Sequence, residues 1–225
     1  MQAKNEKRTS GNSRQIAVIG NGLSSDGAEL LVDSDYRIFR INHWYLNGGH
    51  CDDWFVGEHP EIIHAVAAYM YLREDKPTIW MPGLSGDAIE RNQKTLHGCP
   101  IRIQKHFPHL PAHCRWDKDP RPRRPLTGSL ALAVAVGMQP DELFISGMDL
   151  YQHPKGDYAG MKPPDSTDIF PRLYCTNSHG NHSLLADLRY IRNALDAYKG
   201  KLTCVGSVMK KYFADDYKGW EWIDG

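Results

Sequence analysis

Four short segments of the sequence carry the side chains best suited to chemistry, and the first is the glycine-rich turn of Gly20, Asn21 and Gly22. Glycine lets the backbone approach a phosphate closely, and the start of a following helix would supply free N–H groups. An NAD site is disfavoured, because Ser25 stands where the third glycine of a G-x-G-x-x-G motif belongs. The alternative interpretation is a plain turn between a strand and a helix.

The second segment is SGMDLY, residues 146–151, which a further tyrosine follows closely. Asp149 would stand at a strand end, where its carboxylate can accept hydrogen bonds from a ribose or a base amine. Tyr151 and Tyr158 could donate their hydroxyl protons to a departing phosphate without any metal. Alternatively, both tyrosines are amphipathic surface residues.

The third segment is NSHGNHS, residues 177–183. His182 lies just before a predicted helix, whose dipole disfavours the imidazolium form and keeps the ring neutral. A neutral imidazole is what a general base for a sugar hydroxyl requires. Two alternatives stay open: a capping or surface histidine, and a weak zinc site in which Cys175 and His179 join His182 at C-x3-H-x2-H spacing.

The fourth segment is the basic run RPRRP, residues 121–125. Charge runs are usually solvated loops. Arg124 is favoured over its neighbours as an anion-binding residue, because it adjoins the predicted start of a helix that Thr127 would cap.

Strands and helices that alternate along the chain must position these segments. Short apolar runs predict strands at 16–20, 37–42, 53–57, 78–81, 143–147 and 202–206, and helices are predicted at 61–72, 128–138 and from 184 onwards, the last capped by Ser183. The alternation favours an α/β fold, with a Rossmann-like, mostly parallel sheet and helices on both faces. Ligands of such sheets bind beyond the carboxyl ends of the strands, where the first two segments, Asn42 and Gly57 would stand.

Length and composition favour one soluble domain. It would span residues 15–225, after a flexible leader at 1–14 and with a lid at about 152–181. The 27 basic residues balance the 27 acidic ones, so no net field points to nucleic acid. The five cysteines are an odd number without a C-x-x-C pair, which favours a reducing cytoplasm. The longest apolar stretch, residues 130–138, is much shorter than the roughly 20 residues that span a bilayer.

The order and spacing of these motifs resemble the bacterial sialyltransferases of glycosyltransferase family 42, which modify lipooligosaccharides. The matching segments are IAVIGNGLS, RIFRINHWY, RPLTG with its Ala-rich helix, LFISGMDLY and NSHGNHS. The resemblance covers residues 16–57 and 124–198. It implies a glycosyltransferase A-like variant of the fold and an inverting, metal-independent transfer from CMP-sialic acid to an acceptor oligosaccharide, without a cofactor. It also implies a homo-oligomer in the cytoplasm, peripheral to the inner membrane.

The same resemblance implies roles for individual residues. Those that would bind the donor are Asn21, Gly22, Asn42, Thr127, Gly128, Gly147 and Asp149. Tyr151 and Tyr158 would hydrogen-bond to the leaving phosphate. His182 would be the general base, and Arg124 matches an arginine that the family needs for activity.

The chain departs from the family pattern at several positions. Leu23 replaces a proline, and Gly57 stands where the family has an asparagine beside the donor sugar. The spacing around Tyr158 and His182 is also shifted by one residue. The departure at Gly57 leaves open the transfer of another CMP-activated ulosonate, such as Kdo. A catalytically inactive nucleotide-binding module is the alternative from a different class.

Overall fold

The computed structural model describes residues 14–32, 34–44, 49–57, 60–72, 76–81, 90, 94, 96, 101–102, 125–153 and 182–225. Within them, eight strands form one sheet in the order β5-β4-β3-β2-β1-β6-β7-β8. Every neighbouring pair in that sheet is parallel. The strands are β1 (Gln15–Ile19), β2 (Arg37–Ile41), β3 (Asp53–Phe55), β4 (Thr78–Trp80), β5 (Ile101–Arg102), β6 (Glu142–Ser146), β7 (Lys201–Val205) and β8 (Glu221–Ile223).

Helices pack on both faces of this sheet. They are α1 (Pro60–Leu72), α2 (Thr127–Gly137), α3 (Leu184–Ala197) and α4 (Ser207–Phe213), with two short 3-10 helices at Leu23–Ser25 and Ala28–Leu30. On one face, α2, α3 and α4 share the largest buried apolar cluster with the central strands. On the other face, α1 packs over β3 and β4, and the second 3-10 helix packs over β1, β2 and β6.

The sequence of α2 explains its place at the centre of the molecule. TGSLALAVAVG is apolar all round, and residues 129–136 are buried, which is typical of a helix enclosed on every side. It contacts β1, β2 and β3 on one side and α3 on the other. In α3, by contrast, the buried positions fall on one stripe, so its outer face meets solvent.

The strand order reverses direction next to β1. After β1 the chain proceeds outward through β2, β3, β4 and β5, and it then returns to start β6 on the opposite side of β1. The connection after β1 carries the second 3-10 helix on one face of the sheet, and the connection after β6 carries α3 on the other. Open α/β sheets with this arrangement have a crevice between the two strands at their carboxyl ends. This reversal is the topological switch point at which open α/β sheets bind their ligands.

A polar cluster joins the strands at the opposite, amino edge of the sheet. The carboxylate of Glu142 accepts hydrogen bonds from Gln15 Nε2 at 3.1 Å, Tyr36 Oη at 3.0 Å and Lys201 Nζ at 3.1 Å. The hydrogen bonds from Lys201 and then Tyr36 are the main reasons why the pKa of Glu142 lies below its ordinary value. One carboxylate thus connects β1, β6, β7 and the residue just before β2.

The predicted α/β fold is confirmed, and each predicted strand and helix is present within one or two residues of its expected bounds. The sequence pattern does not predict β5, β8 and α4, because each is too short to show a period. The prediction that Thr127 caps α2 is wrong: the helix begins at Thr127, and Leu126 occupies the N-cap position without a side-chain bond. Ser183 does cap α3, through a 3.2 Å hydrogen bond from Ala186 N to its Oγ.

The predicted leader and lid fall almost entirely outside the described residues. Of the helices that the described part of the chain forms, none has the length and apolar character needed to cross a membrane.

Candidate functional site

The turns that follow β1 and β6 meet in direct backbone contact. Gly20 N donates to Ser146 O at 2.8 Å, and Gly22 N donates to Gly147 O at 3.0 Å. A Cβ on Gly20 would lie only 2.2 Å from Gly147 O. Gly147 itself has a φ of +69°, which glycine adopts without strain. Both glycines are therefore required for the two turns to pack this closely.

Asp149 is buried between these two turns, with 2% of its surface exposed. Its Oδ2 accepts from Ser24 N at 2.9 Å, and its Oδ1 accepts from Ser24 Oγ at 2.5 Å. A Cβ on Gly22 would lie 2.6 Å from Oδ2, so the carboxylate rests directly against the first turn. Burial, and then the negative charge of Asp149, raise the pKa of the Cys204 thiol on the neighbouring β7.

The two asparagines of the predicted site join the ends of the first three strands. Asn21 Nδ2 donates to Ile41 O at 2.8 Å, which ties the turn after β1 to the end of β2. Asn42, with a φ of +41°, accepts from Gly57 N at 2.9 Å through Oδ1. Asparagine is one of the few residues that tolerates such a left-handed backbone. Both side chains thus stand at the carboxyl edge, as the strand pattern predicts.

Thr127 and Gly128 bring the start of α2 to the same edge. A Cβ on Gly57 would lie 3.4 Å from both Asn42 Oδ1 and Thr127 Oγ1, so these two side chains flank one position that carries no side chain. A Cβ on Gly128 would lie 2.8 Å from Met148 Sδ. Gly128 therefore allows the helix to pack closely against the segment that follows β6.

The backbone at Tyr151 is strained. Leu150 and Tyr151 have φ values of +48° and +54°, and bulky side chains rarely adopt this region. Such conformations cost on the order of 1–3 kcal/mol each and cluster at functional sites. Gln152 N closes the turn on Asp149 O at 2.8 Å, and Tyr212 of α4 donates to Gln152 Oε1 at 2.7 Å. The Tyr151 ring is half-buried against the main core.

His182 lies half-buried immediately before the capping residue of α3. One turn later, the fully buried Asp187 accepts from Leu126 N at 2.8 Å and from Ser129 Oγ at 2.5 Å. This carboxylate joins the first turn of α3 to the first turn of α2. The segment of His182 is thereby fixed beside the helix start that carries Thr127.

The other predicted residues lie outside the described part of the chain. They are Arg124, Tyr158, Cys175 and His179. The described residues contain no group of three side chains that could hold a metal ion. Among the described positions, those brought to one edge of the sheet are Asn21, Gly22, Asn42, Thr127, Gly128, Gly147, Asp149, Tyr151 and His182.

Two residues at this edge were not selected from the sequence. Ser24 had no signal beyond its place after a glycine turn. For Asp187 the sequence does contain a signal. This carboxylate stands three residues before Tyr190 and four before Ile191, on the stripe that α3 buries. A charged residue on the apolar face of a helix needs a partner, and here the partners come from α2.

No protein-family model matches the sequence, and no curated protein sequence matches it significantly. Solved structures do resemble the fold. The monofunctional alpha-2,3-sialyltransferase Cst-I from Campylobacter jejuni superposes with a TM-score of 0.62 at 19% identity, over 94% of this chain and 83% of that one. Campylobacter jejuni CstII in complex with the substrate analogue CMP-3FNeuAc gives a TM-score of 0.57 at 18% identity, over 92% and 84%.

A CST-II variant in complex with CMP is similar to the same degree, with a TM-score of 0.60 at 18% identity over 93% of this chain and 86% of that one. Identities this low establish likeness of fold alone. The overall fold of this chain is therefore one that it shares with these sialyltransferase structures.

Proposed function

We propose that this chain is a sialyltransferase, an inverting and metal-independent enzyme that transfers sialic acid from CMP-sialic acid to a hydroxyl of an acceptor glycan. One observation carries the proposal. The backbone turns after β1 and β6 pack directly against each other at the switch point, where Gly20, Gly22 and Gly147 are buried and carry no side chain that would hold the two turns apart. The similar structures with bound CMP or its sugar analogue have the same fold.

The nucleotide would occupy this crevice beyond β1 and β6, with the turn of Asn21 and Gly22 on one side and Gly147 with Asp149 on the other. The sugar would extend towards Asn42, Thr127 and Gly128 on the β2 side. The family resemblance implies this direction, and the hydrogen bond from Asn21 to the end of β2 supports it by joining the two regions along one edge of the sheet.

The proposed reaction is a single displacement. His182 removes the proton from the acceptor hydroxyl, whose oxygen forms a bond to the anomeric carbon as the bond to the CMP phosphate oxygen breaks. Tyr151 and Tyr158 donate hydrogen bonds to the departing phosphate, and Arg124 adds positive charge near the anion. Attack on the face opposite the leaving group inverts the anomeric centre. Because hydroxyl donors and an arginine take up the developing charge, no divalent cation is needed.

A second candidate donor is another CMP-activated ulosonate, such as a Kdo-like sugar. The observation that favours it is the position of Gly57 between Asn42 and Thr127, where no side chain restricts the sugar side of the crevice. The nucleotide half of the site would be unchanged.

A panel of CMP-activated sugars tests the proposal, with CMP release measured in the presence and absence of acceptor oligosaccharides, with and without EDTA. Acceptor-dependent release from CMP-sialic acid that survives EDTA is the expected result. Release from the Kdo donor alone would favour the second candidate. CMP binding without turnover of any donor would indicate an inactive nucleotide-binding module, and activity lost in EDTA and restored by Zn²⁺ would indicate a metal site that includes Cys175, His179 and His182.

A further inference from the structure

Ser24 is buried where the turn after β1 packs against the turn after β6, with 3% of its surface exposed. It takes part in four hydrogen bonds to the last residue of β6 and to the segment that follows it. Its N–H and its hydroxyl donate to the two oxygens of Asp149, its Oγ accepts from Gly147 N at 2.9 Å, and its carbonyl accepts from the hydroxyl of Ser146. One serine thus ties the first turn to Ser146, Gly147 and Asp149.

The hydroxyl of Ser24 both donates and accepts a hydrogen bond. It donates its proton to Asp149 Oδ1 at 2.5 Å and accepts from the backbone of Gly147. Hydrogen bonds to a carboxylate are the stronger kind, and here the same residue holds both carboxylate oxygens. Asp149 therefore cannot rotate without breaking both contacts.

Close backbone packing around this pair leaves no room for another arrangement. A Cβ on Gly22 would lie 2.6 Å from Asp149 Oδ2, and a Cβ on Gly206, at the end of β7, would lie 3.0 Å from Ser24 Oγ. The pair is enclosed by the ends of three adjacent strands.

We infer that Ser24 is a positioning residue of the nucleotide site, which fixes Asp149 and Gly147 in the geometry that receives the nucleotide. The inference rests on the proposed function, since it takes the crevice beyond β1 and β6 as the place where CMP binds. Ser24 acts through Asp149 and Gly147, and it need not contact the nucleotide itself.

CMP affinity measured by calorimetry tests this inference, together with the melting temperature of each protein without ligand. Ser24→Ala is expected to weaken CMP binding by about 10- to 100-fold at a temperature where the variant is fully folded, the range for losing a hydrogen bond to a charged group. Ser25→Ala is the matched control, because Ser25 Oγ donates within its own turn to Gly22 O at 2.7 Å. That variant should bind CMP within about threefold of the wild type.

The double variant Ser24→Ala/Asp149→Ala distinguishes positioning from an independent contact. If Ser24 acts through Asp149 and Gly147, the double variant should lose clearly less affinity than the sum of the two single losses, because residues in one network are not additive. Losses that add in full would overturn the inference.

A Ser24→Ala variant that melts earlier but binds CMP like the wild type, at a temperature where it is folded, would overturn the inference alone and leave Ser24 a structural residue. Wild-type protein that does not bind CMP would overturn the inference and the proposed function together. If Ser24→Ala does not fold, Ser24→Cys replaces it, because the thiol keeps the shape and is a weaker donor. Ser24→Cys should bind CMP at least about fivefold more weakly than the wild type, and equal binding would overturn the inference.

Discussion

His182 is half-buried immediately before Ser183, the capping residue of α3. If this ring takes the acceptor proton, His182→Ala should lower turnover by about 10²- to 10⁴-fold. CMP affinity should stay close to that of the wild type, because the proposed base would contact the acceptor and not the nucleotide. Steady-state kinetics and calorimetry measure the two effects, and the acid limb of the pH–rate profile should disappear in the variant.

The control for this substitution is His153→Ala, a second half-buried histidine at the end of the described segment after β6. Its turnover is expected to remain within about threefold of the wild type. Equal losses in the two variants would argue against His182 as the base. A His182→Ala enzyme that kept its acid limb would point to another group, with His153 as the next candidate.

Tyr151→Phe isolates one hydroxyl group of the proposed site. The ring packs against the main core and the backbone is held at a positive φ, and phenylalanine can keep both features. The rate should fall by roughly tenfold to a thousandfold, the range for losing one well-placed hydrogen-bond donor to developing negative charge. Single-turnover kinetics at saturating donor would measure it. An unchanged rate would mean that the hydroxyl does not reach the leaving phosphate.

At the scale of the elements, the buried contact between α2 and α3 depends on Asp187. Asp187→Ala leaves Leu126 N–H and the Ser129 hydroxyl without this acceptor, so the free energy of unfolding should fall by about 1–3 kcal/mol. Asp187→Asn should lose less, because its amide oxygen can still accept both bonds. Urea denaturation of the two variants makes the comparison.

The control on the same helix is Asp196→Ala. Asp196 is exposed and accepts one hydrogen bond from Tyr217 Oη, so its removal should change the free energy of unfolding by less than about 1 kcal/mol. Similar losses at both positions would show that the contact between α2 and α3 has no special weight.

The polar cluster at the amino edge of the sheet predicts a pH dependence of stability. Hydrogen bonds from Lys201 and Tyr36 lower the pKa of Glu142 in the folded protein below the ordinary value of 4.5. A carboxylate with a depressed pKa stabilises the fold above its unfolded pKa, and this contribution is lost as the pH falls through the folded pKa.

Glu142→Gln should therefore be less stable than the wild type at neutral pH, by about 1 kcal/mol or less because the group is partly solvated. The difference should shrink as the pH falls below about 4.5. Thermal melts between pH 3 and pH 7, about the range over which a carboxylate titrates, would measure it. A difference that stays constant across this range would assign the effect to packing and not to charge.

For the whole molecule, ligand linkage offers a test of nucleotide choice. CMP at a hundredfold excess over its dissociation constant should stabilise the fold by about 2.7 kcal/mol. For a domain of this size the melting temperature should then rise by about 5–10 °C. UDP, ADP and NAD at the same concentration should give little or no shift. Equal stabilisation by UDP and CMP would contradict the assignment of a cytidine site.

The sequence by itself determined the longer elements and their order along the chain. Apolar runs such as IAVI and LFIS are long enough to predict buried strands, the serine before LLADLRYI predicts the start of α3, and the alternation of strands and helices predicts a parallel sheet. The rule that ligands bind beyond carboxyl ends then selected Asn21, Asn42 and Asp149. These patterns are local, since each depends on residues within a few turns of one another.

Only the tertiary structure decided which strand ends are neighbours. It inserts β1 between β2 and β6, and this brings Ser24 into contact with Asp149 across 125 positions of sequence. It likewise places Asp187 on Leu126, the N-cap residue of α2, which lies 61 positions away. Propensity and periodicity carry no information about such contacts, because burial against a distant segment fixes them. The partners of a buried carboxylate are therefore found only when the chain is folded.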